Sequence, residues 1–152
     1  MYKKILCPID GSPTSNCGMQ EAIRLAKNQN AKLRFLHITE LNYPVLDATG
    51  DLNLVYLADM LRDDSKKILK KAEIAARHAE VETDSKVIEA FGNQVAQLVV
   101  DDVESWHADL VVMGTHGLRG VKRLVMGSDA ETVLRTSPVP VLLVRNIRES
   151  EG

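Results

Sequence analysis

Cysteine is scarce in this chain: Cys7 and Cys17 are the only two among 152 residues. Two thiols so close together make no disulfide framework. A chain of this length buries roughly 70% of its unfolded surface without needing a covalent staple. No apolar stretch approaches the roughly 18 residues of a membrane span. The charges, 19 Lys and Arg against 21 Asp and Glu, leave a formal net charge of −2. That balance gives no global pull toward nucleic acid or an anionic membrane, so any anion site must be a local concentration of cations. The opening MYKKILCPID has too few apolar residues before Pro8 and Asp10 for the core of a secretion signal, and a cytoplasmic protein is expected. His37, His78 and His107 show no metal-ligand spacing. Cys7 sits in an apolar run and reads as a small core residue. Nothing near either thiol points to the lowered pKa of a catalytic cysteine.

What the chain does have is alternation. Residues 4–9 are a short apolar run ending at a Pro-Ile-Asp-Gly-Ser turn, which suits a buried strand. Ser12-Pro13 reads as a helix start, a capping hydroxyl and then proline at the first helical position. Met19, Ala22, Ile23 and Ala26 continue at helical spacing to about Asn28. A second apolar run, 33–38, is interrupted by Arg34 and His37, and residues 39–52 have no clean period. Leu57, Leu61, Ile68, Ala72, Ala75 and Ala79 then mark one face of a long helix. Lys66, Lys67, Lys70, Lys71 and Arg77 lie mainly off that face and read as solvated surface, with no nucleic-acid role.

Residues 83–90 read as a third strand, and Val95, Leu98, Val99, Val103 and Trp106 as a third helix with Asn93 as its cap. Residues 108–113 are apolar almost throughout, as a strand covered on both faces should be. A short helix over 128–135 and a fifth strand over 140–144 follow. This order predicts an α/β fold, a single-domain three-layer sandwich with a five-stranded parallel sheet and helices on both faces. The domain is expected to span 1–146, with a polar tail over 147–152.

The segment GTHGLRGVKRLVMGSD, Gly114 to Asp129, carries Gly114, Gly117, Gly120 and Gly127 together with Arg119, Lys122 and Arg123. It leads into a helix N-terminus, whose unpaired N–H groups form a ready anion site. Glycines let the backbone approach a bulky anion, and the cations add charge-assisted contacts. In an open α/β sheet this loop meets the ends of strands one and two at the carboxyl edge, so a phosphate chain is the ligand it suits best. The Walker pattern is absent, since no Gly-Lys pair occurs, and GxGxxG is absent as well. Ser128 with Glu131 three residues on also has the form of a capping box, and Asp10 before Gly11 has the form of an Asx turn.

Gly114-x-x-Gly117, nine further residues, then Gly127-Ser128 is similar to the G-2x-G-9x-G-(S/T) pattern of nucleotide-binding universal stress proteins. The resemblance extends to KKILCPIDGS, FLHI, DLVVMGTHG and the closing GSDAETVLRTSPVPVLLVR. On these segments the chain is identified as a member of that family, in its ATP-binding subgroup. The resemblance implies a site for ATP with an associated Mg²⁺. Pro8 would lie beside the adenine, Ile9 among the nucleotide-binding residues, Asp10 near the ribose and the metal, and the backbone of Ile38 along the adenine edge. Met113, Gly114, His116, Gly117, Arg119 and Gly120 would surround ribose and phosphates. Gly127, Ser128 and Asp129 would hold the terminal phosphates. It further implies a homodimer through the edge strand 139–144 and a stress-response regulator with at most slow ATP hydrolysis, since no dedicated base or arginine finger is evident. Asp129 departs from the pattern, being often apolar in the family's ATP binders. Turned toward phosphates it would repel them; turned away it would favour the helix N-terminus. The alternative is a universal stress protein that binds no nucleotide and acts through its dimer surface.

Overall fold

The computed structural model describes residues 1–41, 51–115 and 126–146, with the backbone alone for 51–55. Strands and helices alternate: β1 (Lys4–Pro8), α1 (Pro13–Gln29), β2 (Lys32–Glu40), α2 (Asp51–His78), β3 (Thr83–Ala90), α3 (Val95–Trp106), β4 (Leu110–Gly114), α4 (Ser128–Thr136) and β5 (Val141–Val144). The five strands form one parallel sheet in the order β3-β2-β1-β4-β5. No helix among the described residues is long and apolar enough to cross a membrane.

Side chains alternate across the sheet, and both faces are buried. Ile5, Cys7, Leu33 and Phe35 point to one side, against Met19, Ala22 and Ala26 of α1 and Leu69, Ala72 and Ala76 of α2. Leu6, Leu36 and Val111 point to the other, against Ala96, Val99 and Val103 of α3 and Val133 of α4. Two covered faces explain why the strands read as continuous apolar runs rather than as alternation.

The start of α1 is as its sequence predicts: Ser12 is the N-cap, its hydroxyl accepts from Ser15 N at 3.2 Å, and Pro13 opens the helix. Two other cap expectations are corrected. At α3 the N-cap is Gln94, not Asn93, and no side chain caps it. A tight turn places Gln94 N 3.0 Å from Gly92 O, with Gly92 at φ +75°, so Asn93 falls one residue short of the cap position. At α4 the N-cap is Gly127 and Ser128 is already helical, so the capping box with Glu131 does not form. Strand β2 runs on to Glu40, two residues past its expected end, because His37–Glu40 pair with Val87–Ala90.

One feature of the α3 face was not legible in the sequence. Arg34 on β2 binds Asp84 on β3 (Nε to Oδ1, 2.6 Å) and Asp102 on α3 (3.3 Å), and Lys86 Nζ reaches the same Asp102 oxygen at 2.6 Å. The Asp102 side chain is wholly buried. The Trp106 ring lies 4.5 Å from the Arg34 guanidinium carbon and 5.2 Å from Lys4 Nζ, a stacked cation on one side and a second one nearby. Trp106 therefore serves the core, as expected, but also roofs an ionic cluster.

Cys7 is fully buried, and desolvation pushes its thiol far above the ordinary value. The thiolate is the reactive form. Cys7 is therefore expected to resist alkylation in the native protein and to react only on unfolding, whereas the half-buried Cys17 is labelled first. Counting labelled thiols by mass spectrometry with and without urea checks this; labelling of Cys7 in native buffer as fast as Cys17 would contradict it.

Candidate functional site

Going outward from the middle of the sheet, β1 has β2 on one side and β4 on the other, and the chain reverses its direction of progress there. This is the topological switch point, where a doubly wound sheet leaves a crevice at the carboxyl ends of its strands. Pro8 ends β1 and Ile9 and Asp10 follow it, Ile38 lies near the end of β2, and Met113 and Gly114 end β4. The fold thus brings these six sequence-predicted residues to one edge of the sheet.

The β1–α1 turn is held by its own hydrogen bonds. Asp10 N donates to Ser15 Oγ at 3.0 Å, and Ser12 N donates to Asp10 Oδ1 at 2.9 Å, across Gly11 at φ +82°. The Asx turn expected at Asp10 is present, and it occupies one carboxylate oxygen.

The ends of the glycine segment are pinned together. Thr115 N donates to Val144 O at 3.1 Å, and Gly127 N donates to Thr115 O at 2.7 Å. Those bonds set the N-terminus of α4 beside the end of β4. No side chain among the described residues caps that N-terminus. His116, Gly117, Arg119 and Gly120, with Lys122 and Arg123, lie outside the described residues.

Asp129, whose direction the sequence left open, lies near enough to Asp10 at the β1 end to feel its charge. Desolvation and the nearby Asp10 carboxylate hold its carboxyl above the usual range. Two carboxylates that feel each other's charge attract a hard cation, and Mg²⁺ typically takes one or two carboxylates plus phosphate oxygens. The donor chemistry therefore fits a divalent ion carried with a phosphate chain. Among the described residues no group of three or more His, Cys, Asp or Glu is placed to hold a metal by itself.

Ile38 has a property that comes from strand parity. Odd residues of β2 bond to β3, as Leu33 N to Glu82 O and Leu41 N to Ala90 O; even residues bond to β1, as Lys32 N to Lys3 O. The last rung on the β1 side is Ile9 N to Leu36 O at 2.8 Å. The next would be Ile38 N to Ile9 O, and it is not made; among the described residues neither the N–H nor the carbonyl of Ile38 has a partner. A donor and an acceptor on one residue are thus left open beyond the end of β1.

Gly114 has a second duty that its motif does not reveal. A Cβ built there would stand 2.8 Å from Thr14 C and O, and one on Gly18 would stand 2.9 Å from Gly114 N. Helix α1 crosses the end of β4 backbone to backbone through these two glycines. Gly18 escaped the sequence reading because a lone glycine in a helical pattern carries no local signal of what it touches.

An open parallel sheet with its crevice at the switch point, faced by an uncapped helix N-terminus, defines a doubly wound α/β domain of Rossmann-like layout. Within that class the chain belongs to the universal stress protein family, which it matches over residues 1–145. It is 32% identical over 146 residues to a universal stress protein of Methanocaldococcus jannaschii, covering 95% of this chain and 83% of that one. Among solved structures, a universal stress protein from Lactobacillus plantarum superposes with a TM-score of 0.82 at 20% identity, covering 95% of this chain and 98% of that one. A universal stress protein in complex with cAMP superposes at 0.62 with 26% identity, covering 95% and 97%.

Proposed function

We propose that this protein is a nucleotide-binding universal stress protein that takes ATP, with Mg²⁺, in the crevice between β1 and β4. The observation that carries this reading is the open N–H and carbonyl of Ile38, a donor–acceptor pair of the kind that an adenine edge complements, at the same end of the sheet as the uncapped N-terminus of α4. The sugar and phosphates would run from Asp10 toward Gly114 and the 116–120 segment. Gly127, Ser128 and Asp129 would receive the terminal phosphates at the helix N-terminus. Adenine binding by a similar protein, the cAMP complex, supports the base assignment. With no dedicated base assigned, the nucleotide serves as a signal, and any hydrolysis is slow.

Dimerisation belongs to the same proposal. β5 is an edge strand of the sheet, and Leu142 is exposed on it, so residues 139–144 offer unpaired backbone and apolar side chains to a second copy.

A second reading has its own observation. Asp129 and Asp10 form a negative pair where phosphates would arrive, which favours a protein that binds no nucleotide and acts through its dimer face. Calorimetric titration of nucleotide-free protein with ATP, AMP and GTP, with and without Mg²⁺, separates the two. The expected result is Mg·ATP binding at least about tenfold tighter than AMP, from the added charge-assisted phosphate contacts. Asp129→Asn should tighten metal-free ATP and reduce the gain from Mg²⁺. Metal-free ATP should also bind more tightly to the wild type as pH falls through the raised pKa of Asp129, a dependence the Asn variant should lose. No heat with any nucleotide, from folded protein, would transfer the function to the dimer face.

A further inference from the structure

We infer that His37 is a positioning residue of this pocket: by donating to the Ile9 carbonyl, its imidazole takes the acceptor that would otherwise extend the β1–β2 ladder, and so keeps the Ile38 N–H open for a ligand. The inference rests on the nucleotide reading for what the open group binds, but not for how it is kept open.

His37 is buried on β2, and its Nδ1 lies 2.7 Å from Ile9 O. A carbonyl only accepts, so Nδ1 carries the proton, and a neutral His37 is the Nδ1–H tautomer. In a parallel ladder the bond after Ile9 N to Leu36 O runs from Ile38 N to Ile9 O. The imidazole fills one of that oxygen's two lone-pair positions, which meets its need for a donor, and the bond from Ile38 N is not made. An apolar β-branched residue at position 37 would fit the buried α2 side of the strand equally well. It would leave Ile9 O without a donor, and the neighbouring Ile38 N–H is the nearest replacement by ladder geometry. An unpaired buried carbonyl is costly, so the rung would close and the pocket would lose its donor. Position 37 thus decides whether β1 and β2 separate before or after Ile38.

The arrangement also steadies the β1–α1 turn. Ile9 is tied to β2 by two bonds, its N–H to Leu36 O and its carbonyl to His37. The next residue, Asp10, begins the hydrogen-bonded turn that sets its carboxylate. Farther along the same side of β2, Thr39 Oγ1 and Ser65 Oγ share a buried hydrogen bond at 2.7 Å, which holds this end of the strand against α2.

The test compares His37→Leu, which keeps volume and removes the donor, with His37→Asn, whose amide nitrogen can stand near the place of Nδ1. Amide hydrogen exchange of Ile38 in the nucleotide-free proteins is the first readout, because a merely structural role would not move it in this direction. It is expected to be fast in the wild type, slower by about tenfold or more in the Leu variant as the rung closes, and fast again in the Asn variant. ATP affinity should fall by about tenfold in the Leu variant with loss of the preference for ATP over GTP, and Asn should restore both. Unchanged Ile38 exchange in a folded Leu variant would overturn the inference. Should the Leu variant not fold, nitrogen NMR of wild-type His37 decides: a proton on Nδ1 supports it, and a bare Nδ1 overturns it. A wild type that binds no nucleotide would sink the proposed function while leaving the exchange experiment to decide the role of His37.

Discussion

Gly114→Val is expected to lower the stability of the nucleotide-free protein by about 3 kcal/mol or more, the upper end of what overpacking costs. The new Cβ would stand 2.8 Å from the carbonyl carbon and oxygen of Thr14, which are backbone atoms of α1 and have no rotamer to escape into. Gly18 on α1 fills the reciprocal place against Gly114 N, so the helix cannot shift away along that contact without opening its own packing. Neither glycine has a positive φ, so the requirement is space alone. Urea unfolding of the nucleotide-free variants measures the effect, with Gly114→Ala as the milder step. A glycine needed only for approach of a ligand would leave the unfolding midpoint unchanged and weaken ATP binding alone; that result would refute the packing role. Gly18→Ala is expected to behave like Gly114→Ala, since both place a methyl into the same crossing.

Asp102→Ala is the second large effect. Asp102 is wholly buried and accepts from Arg34 and Lys86. Removing it leaves the Arg34 guanidinium, itself mostly buried, with Asp84 as its remaining carboxylate. Breaking a buried pair from one side costs about 3–5 kcal/mol, since the surviving charge stays desolvated. For a chain of this size that is a loss on the order of 10 °C in Tm. Asp102→Asn keeps an acceptor for both cations and should cost less. The exposed pair Lys27–Glu80 is the control: both groups are solvated, and its removal should leave Tm unchanged within error. The loss at Asp102 should also persist in high salt, because a buried cluster is poorly screened. A Tm for Asp102→Ala within a degree of the wild type would show that the cluster contributes no stability.

Both effects concern residues whose importance lies in what they touch across the fold. Asp102 sits in a helical pattern among other acidic residues, where a carboxylate ordinarily faces water. Its partners come from β2 and β3, and nothing in the local spacing brings Arg34, Asp84 and Lys86 to it. His37 is similar: the sequence presents it as an interruption in an apolar strand, and only the packed fold brings the Ile9 carbonyl to its Nδ1. The cap at α4 failed as an expectation for a related reason. Ser-x-x-Glu is the right pattern, but Glu131 N already bonds Gly127 O, so the helix starts one residue earlier than a cap at Ser128 would require.

The order and type of the strands and helices, the coverage of the sheet on both faces, the N-terminus of α1 and the glycine pattern that marks the family were all legible in the chain alone. These are local properties. Side-chain period, turn chemistry and residue spacing act between neighbours in the chain, and so are written in consecutive letters. Packing in three dimensions settled the strand order β3-β2-β1-β4-β5 with its crevice, the Gly18–Gly114 crossing, the cluster around Asp102, the approach of Asp129 to Asp10 and the open backbone of Ile38. Each joins residues far apart in sequence through crossovers whose lengths and directions fix the meeting. Periodicity says which face of an element is buried, but only the packed sheet says what is buried against it.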